Sequence, residues 1–158
     1  MTIKTGDTLP DVTLKTNGEK GPEDIALADV VKGKRVVIFA VPGAFTPGCS
    51  NTHMPGFVVQ ADEILARGVD TIACVAVNDA FVLGAWQDNQ NAEKILMLAD
   101  GNGDLTKALG LELDASGFGM GTRSKRYALI AKDGKVEYLG IDDKGVEKSS
   151  AEAVLENL

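Results

Sequence analysis

The chain has 158 residues, of which 44% are hydrophobic and 25% charged, an ordinary globular composition that predicts one domain spanning residues 1–158. Its formal charge of -7 disfavours nucleic acid and anionic membranes as partners, and the basic cluster at residues 123–126 is expected to be a solvated strand edge. Two cysteines, no bilayer-spanning apolar run and no signal pattern at the N-terminus together predict a reduced, cytoplasmic protein.

The first predicted elements are a hairpin and a short helix. Val12 and Leu14 alternate with polar residues, and the Asn17-Gly18 dipeptide that follows is typical of hairpin turns. Residues 24–33 then place apolar side chains at helical spacing and end in a glycine, which predicts a helix that stops there.

The next segments predict a strand–helix–strand unit with parallel strands. Residues 35–41 and 71–77 are continuous β-branched apolar runs, as expected of strands covered on both faces. Between them, residues 51–68 predict a helix with one apolar face. The residues on this face are Phe57, Ala61, Ile64 and Leu65. The crossover is expected to be right-handed, and a second helix should follow, capped by Asn78 or Asp79.

The second half of the chain predicts an antiparallel addition to this sheet. After a short strand and a brief helix, strands at residues 125–131 and 135–141 are joined by Asp133-Gly134, a hairpin turn. The chain ends in a helix with a capping box that starts at Ser149. This order of elements predicts a thioredoxin-like α/β fold, with a central mixed β-sheet flanked by helices.

Cys49 follows the first parallel strand in the sequence VPGAFTPGCS. With Thr46 as the N-cap, Pro47 takes the first helical position, where its missing N–H costs nothing, and Cys49 falls in the first turn. The unpaired backbone N–H groups and the positive end of the helix dipole there favour a thiolate, which is the nucleophilic form. A free cysteine is often a small buried hydrophobe, but the strand, proline and threonine context favours a reactive sulfur.

The residues around Cys49 resemble a known family. Pro42, Thr46 and Cys49 reproduce the P-x-x-x-T-x-x-C signature of the peroxiredoxins. The longer strings VPGAFTPGCSNTHMPGF, VNDAFV, LADGNGDLTKALGLELD and GTRSKRYALI resemble the plant and bacterial members of its type II, or peroxiredoxin-five-like, subfamily. This resemblance covers nearly the whole chain. It implies a thiol peroxidase that acts on hydrogen peroxide and small organic hydroperoxides and needs no cofactor or metal.

The resemblance also implies a role for each residue of the site. Cys49 would be the peroxidatic cysteine, which attacks the O–O bond and becomes a sulfenic acid. The Thr46 hydroxyl and the Gly48 and Cys49 amides would donate to the peroxide, and the same hydroxyl would accept from the Cys49 amide. Pro42 would shield the thiolate from water, and Arg123 would donate to both thiolate and peroxide.

His53 and two glycine-rich stretches have simpler explanations. His53 lies one helical turn after Cys49 and is expected to be structural or a secondary electrostatic influence on that thiol. One histidine and two cysteines do not make a metal site, and no partner for a cysteine protease is evident. Residues 100–104 imitate the start of a calcium loop, but Leu105 and Leu111 stand where its glycine and its bidentate glutamate should be. Residues 117–121 do not match a dinucleotide-binding motif and predict a pliant loop that carries Arg123 to the pocket.

The reduction of the sulfenic acid is less firmly predicted. Cys74 lies in the middle of a predicted core strand, so it is expected to be structural, with a resolving role left open. Ser149 and Ser150 stand in the region where animal relatives have a resolving cysteine. By resemblance, the reductant is an external thiol, either glutathione with glutaredoxin or thioredoxin.

Two further expectations concern partners and function class. Resemblance suggests a homodimer formed through the active-site edge, with Phe45 and Phe81 as contacts, although ordinary core packing would also explain both side chains. The alternative to an enzyme is a peroxide-sensing redox relay or holdase, in which oxidised Cys49 signals to a partner protein. Turnover with an added reductant separates these two functions.

Overall fold

A seven-stranded mixed sheet forms the centre of the protein in the computed structural model, which describes residues 2–158. The strands are β1 (Thr13–Gly18), β2 (Gly21–Ala26), β3 (Arg35–Ala40), β4 (Thr71–Ala76), β5 (Ile95–Ala99), β6 (Glu112–Asp114), β7 (Thr122–Ser124), β8 (Arg126–Lys132) and β9 (Lys135–Asp142). The α-helices are α1 (Leu27–Val31), α2 (Met54–Ala66), α3 (Ala80–Gln90), α4 (Asp104–Leu109) and α5 (Ala151–Glu156).

The strand order of the large sheet is β2-β1-β5-β4-β3-β8-β9, and β6 and β7 form a separate pair. β3, β4 and β5 are parallel, whereas β8 and β9 add in antiparallel fashion next to β3. The thioredoxin-like fold class is thereby confirmed. None of the helices in residues 2–158 has the length and apolar character that a membrane crossing requires.

Each face of the sheet carries its own apolar core, because successive side chains of a strand point in opposite directions. Val37 and Phe39 of β3 belong to the core under α2, α3 and α5. Val36 and Ile38 belong to the core on the other face, which α1 and α4 cover. Both faces of β3 and β4 are therefore buried, as their continuous apolar sequences predict.

The first hairpin and helix differ from the prediction. Asn17 pairs with Pro22 inside the ladder, so the turn lies at residues 19–20 rather than at Asn17-Gly18. The Asn17 side-chain amide donates to the Ala80 carbonyl at 2.7 Å, a tertiary contact that a turn propensity cannot reveal. Helix α1 begins only at Leu27, because the residues before it pair with β1.

The helix caps are mostly where the sequence places them. Asp79 caps α3 by accepting from the Val82 amide at 2.8 Å. The cap of α5 is Ser150 rather than Ser149, since Ser150 Oγ accepts from the Ala153 amide. The hairpin turn between β8 and β9 has Asp133 and Gly134 at φ 50° and 81°, which confirms the predicted turn.

The antiparallel pairing of β3 with β8 positions the candidate site. Ala40, the last residue of β3, lies opposite Tyr127, the second residue of β8. The loop that leaves β3 therefore meets the start of β8 at the end of the sheet where the parallel strands have their carboxyl ends, and Cys49 lies at this end.

Candidate active site

The loop after β3 ends in a closed turn at Thr46. Its hydroxyl donates to the Gly43 carbonyl at 2.7 Å, and its own carbonyl accepts from the Ser50 amide at 2.9 Å. Pro47 is the first helical residue, so the predicted helix start is correct. Within residues 2–158 the predicted bond from the Cys49 amide to the Thr46 hydroxyl is not formed. The predicted donation from this hydroxyl to a peroxide is also at odds with the structure, because its proton is engaged with the Gly43 carbonyl.

Cys49 opens a π-helical turn, Cys49–His53, that continues directly into α2. The Met54 amide donates to the Cys49 carbonyl, five residues earlier. Pro55 has no N–H to donate to the carbonyl four residues before it, and the wider turn accommodates this loss. Cys49 and His53 both point inward and are buried.

The guanidinium of Arg126 joins these two buried side chains. Its Nη2 donates to Cys49 Sγ at 3.3 Å, and its Nη1 lies 2.9 Å from His53 Nδ1. Arg126 is the first residue of β8, so the strand pairing described above brings it to the helix start. A permanent positive charge therefore lies at hydrogen-bonding distance from the Cys49 sulfur.

The contact to Cys49 was expected of Arg123, and this expectation is wrong. Arg123 lies in β7, where its Nε donates to the Met120 carbonyl at 2.9 Å and its Nη1 lies 3.5 Å from the Pro42 carbonyl. It therefore belongs to the rim of the site. The signal for Arg126 was present in the sequence, because Arg126 directly precedes the apolar run of β8 and an antiparallel partner of β3 begins where β3 ends.

His53 is a neutral imidazole that holds Arg126. Because arginine only donates, Nδ1 must accept from Arg126, and the proton lies on Nε2, which donates to the Ser149 carbonyl at 2.8 Å. Burial, with a smaller contribution from Arg126, lowers the pKa of His53 to about 3. The ring packs against Phe39 and Phe57 at centroid distances of 5.0 and 5.6 Å.

Pro42 and Gly48 border a cavity of about 230 Å³ beside Arg126. A side chain at Gly48 would bring its Cβ to 3.1 Å from Arg126 Nη2, so the absence of a side chain leaves room for the guanidinium. The remaining lining residues are Leu113, Lys125, Asp142, Asp143, Gly145 and Val146. Cys49 itself is fully buried, which shields its sulfur from bulk water.

Cys74 lies in the middle of β4, opposite Phe39 in the parallel register, and is fully buried. Burial, and then the proximity of Cys49, raises the pKa of the Cys74 thiol well above its ordinary value. A thiol that stays protonated is a poor nucleophile. Both cysteines are free. This environment favours a structural role for Cys74, and its resolving role stays a hypothesis.

Two observations concern the predicted dimer contacts and the prediction that the protein holds no metal. Phe45 and Phe81 are 51% and 71% exposed, so neither belongs to the core. Within residues 2–158, no three histidine, cysteine, aspartate or glutamate side chains cluster in a way that could hold a metal ion.

Comparisons with known proteins agree with this geometry. The Redoxin family model matches residues 4–155. The chain is 48% identical to peroxiredoxin-2E-2 of Oryza sativa subsp. japonica, over 99% of this chain and 73% of that protein. The structure of reduced Prx3 from Vibrio vulnificus in complex with H2O2 is 52% identical, with a TM-score of 0.95 and 98% of both chains covered. Peroxiredoxin 5 from Alvinella pompejana is 37% identical, with a TM-score of 0.86, covering 98% of this chain and 97% of that one.

The site has a buried cysteine at a helix start with a guanidinium on its sulfur, above a thioredoxin-like sheet. The family matches cover almost the full length of the chain. The chain belongs to the redoxin family and, within it, to the type II peroxiredoxins, which are thiol-dependent peroxidases.

Proposed function

We propose that this peroxidase reduces hydrogen peroxide and small organic hydroperoxides at Cys49 and is recycled by glutathione with glutaredoxin, or else by thioredoxin. The observation that carries the proposal is the 3.3 Å contact between Arg126 Nη2 and Cys49 Sγ, at a sulfur shielded from bulk water. In such a site a cation acts on the sulfur without competition from solvent.

The first chemical step oxidises the sulfur. The Cys49 thiolate attacks the O–H oxygen of the peroxide, which keeps its proton, and an S–O bond forms as the O–O bond breaks. The leaving oxygen takes a proton from solvent to become water or an alcohol. Negative charge moves from sulfur onto that oxygen during the step. Arg126 keeps its charge throughout, so it can stabilise both the starting thiolate and the charge on the leaving oxygen.

Thr46 can orient the peroxide. Its proton is engaged with the Gly43 carbonyl, so the lone pairs of its oxygen are free to accept from the O–H of the substrate. Gly48 and Cys49 lie in the first helical turn, where backbone N–H groups lack intrahelical acceptors and can donate to peroxide oxygens.

The second step needs an external thiol because Cys74 is poorly suited to provide one. A thiol attacks the Cys49 sulfenic acid, a mixed disulfide forms and water leaves. A second thiol then attacks the mixed disulfide, which returns Cys49 to its reduced form and releases the oxidised reductant. Both electrons for the peroxide come from the two thiols.

The decisive experiment follows peroxide consumption by wild type, Cys49→Ser and Cys74→Ser, with glutathione and glutaredoxin in one assay and thioredoxin in another. We expect Cys49→Ser to be inactive and Cys74→Ser to turn over with the glutathione system. Loss of turnover in folded Cys74→Ser would overturn the external-thiol proposal. A single oxidation without turnover under either reductant would favour the sensor alternative.

A homodimer through the active-site edge is supported by the exposure of two large apolar side chains, Phe45 in the loop before Cys49 and Phe81 in the first turn of α3. We expect wild type to sediment as a dimer and Phe81→Glu as a monomer. Phe118→Glu is the matched control, because Phe118 is also exposed but lies on a different loop. A wild type that stays monomeric at high concentration would refute the dimer.

The cytoplasm is the proposed location, since glutathione and thioredoxin keep thiols reduced there. Cell fractionation with an antibody to the native protein tests this, and recovery outside the cytoplasmic fraction would contradict it.

A further inference from the structure

Several groups of the loop between β9 and α5, residues 143–150, donate hydrogen bonds to one carboxylate. Asp142, the last residue of β9, accepts from the backbone amides of Glu147, Lys148 and Ser149 at 2.9, 3.1 and 2.8 Å. It also accepts from Ser149 Oγ at 2.6 Å. A single side chain thereby fixes the final turn of the loop.

The same turn also contacts two residues of β9, Tyr138 and Gly140. The Tyr138 hydroxyl donates to the Lys148 carbonyl at 2.6 Å. A Cβ atom at Gly140 would lie 2.2 Å from that carbonyl oxygen, so the loop can approach the strand only because residue 140 is glycine. The peptide that links Lys148 and Ser149 is therefore held from two directions.

This loop contacts the peroxidatic sulfur through two intervening side chains. The Ser149 carbonyl accepts from His53 Nε2, His53 Nδ1 accepts from Arg126 Nη1, and Arg126 Nη2 donates to Cys49 Sγ. The three distances are 2.8, 2.9 and 3.3 Å. His53 and Ser149 are both buried, so water does not substitute for either partner.

We propose that Asp142 is a positioning residue of the peroxidase reaction, acting through Ser149, His53 and Arg126. The Ser149 carbonyl selects the imidazole tautomer, because only a protonated Nε2 can donate to it. If the loop moved away, His53 could place its proton on Nδ1, which would then face the N–H groups of Arg126. Two donors repel each other, and the guanidinium would leave its position at the sulfur.

The test is the rate of Cys49 oxidation by H2O2, measured by stopped flow on the fluorescence of Trp86. Trp86 is the one tryptophan of the chain, and its Nε1 donates to Oγ of Ser50, the neighbour of Cys49. We expect Asp142→Ala to lower the second-order rate constant by about 10- to 100-fold, as displacement of a reacting geometry by about 1 Å does. Unchanged oxidation in folded Asp142→Ala would overturn the proposal.

Glu147→Ala is the matched control. Glu147 carries the same charge in the same loop, but within residues 2–158 its carboxylate makes no hydrogen bond or ion pair and does not border the cavity. The variant keeps the backbone amide that donates to Asp142 and should oxidise at the wild-type rate. An equal loss in both variants would show that the negative charge of the loop, rather than the position of Arg126, sets the rate, and would overturn the proposal.

A double-mutant cycle separates positioning from a merely structural role. With His53→Ala already in place, Asp142→Ala should lower the oxidation rate little further, because both changes interrupt the same series of contacts. Additive losses would show that Asp142 acts by another route. Asp142→Asn, which keeps an oxygen acceptor, should recover part of the rate and replaces Asp142→Ala in the cycle if the alanine variant does not fold.

Discussion

Cys49 and Cys74 are both free and both fully buried, but their surroundings differ in charge and in hydrogen bonding. Cys49 begins a helix and has the guanidinium of Arg126 on its sulfur. Cys74 lies within a strand between two other strands, where burial raises the pKa of its thiol. The two sulfurs therefore differ in the polar groups that reach them, and not in their exposure.

The change that should most reduce this difference is removal of the cation. Arg126→Met keeps a long side chain but takes the charge away from Cys49, so we expect peroxide oxidation to slow by about 10²- to 10³-fold. Arg123→Met is the control, since Arg123 contacts backbone carbonyls at the rim and not the sulfur. Stopped-flow oxidation with H2O2 measures both. A greater loss in Arg123→Met would restore the assignment made from the sequence.

Removal of the Thr46 hydroxyl should have the next largest effect. Thr46→Val keeps the shape but loses the acceptor for the peroxide and the bond to the Gly43 carbonyl, so we expect a loss of about 10- to 100-fold in kcat/KM. Thr46→Ser keeps the hydroxyl and should remain active. Equal peroxide consumption by wild type and Thr46→Val would rule out this role.

Acid should destabilise the fold through His53. The unfolded chain protonates this histidine below about pH 6.5, whereas the folded pKa of about 3 keeps the native ring neutral. The unfolded state thus binds more protons, and the free energy of unfolding should fall by about 2 kcal/mol from pH 7 to pH 5. Urea titrations at several pH values measure it. His53 is the single histidine, so His53→Gln should flatten this dependence.

The smallest effect is expected at Cys74. Cys74→Ala leaves the contacts of Cys49 intact, so peroxide oxidation should be nearly unchanged, while the smaller side chain lowers the free energy of unfolding by roughly 1 kcal/mol. Stopped-flow oxidation and urea denaturation measure the two quantities. A large loss of oxidation rate in the folded variant would mean that the two sulfurs are coupled.

The strands and helix starts that depend on local sequence patterns could be predicted, whereas features that depend on partners far along the chain were missed. The runs that form β3 and β4 are continuous and apolar, so their burial on both faces could be predicted, as could the helix start at Pro47. The turn at Asn17-Gly18 could not be excluded, because Asn17 bonds to Ala80, which is 63 residues away.

The site shows the same division. The position of Cys49 follows from the residues next to it, but the choice between Arg123 and Arg126 depends on strand pairing. The partner of His53 is a carbonyl 96 residues along the chain, and a backbone carbonyl carries no signal in the sequence. The family resemblance therefore pointed to Cys49 and placed the arginine on its sulfur three residues too early.

Because side chains alternate along β3 and β4, the residues next to Cys49 lie on one face of the sheet and a second apolar core lies on the other. Phe39 and Cys74 share one face with Cys49, whereas Ile38 and Val75 lie on the opposite face under α1 and α4. Substitutions on that opposite face can change how firmly the protein folds while the groups around the sulfur keep their neighbours. A stabilised version of this peroxidase could thus be sought on one side of the sheet without redesigning the other.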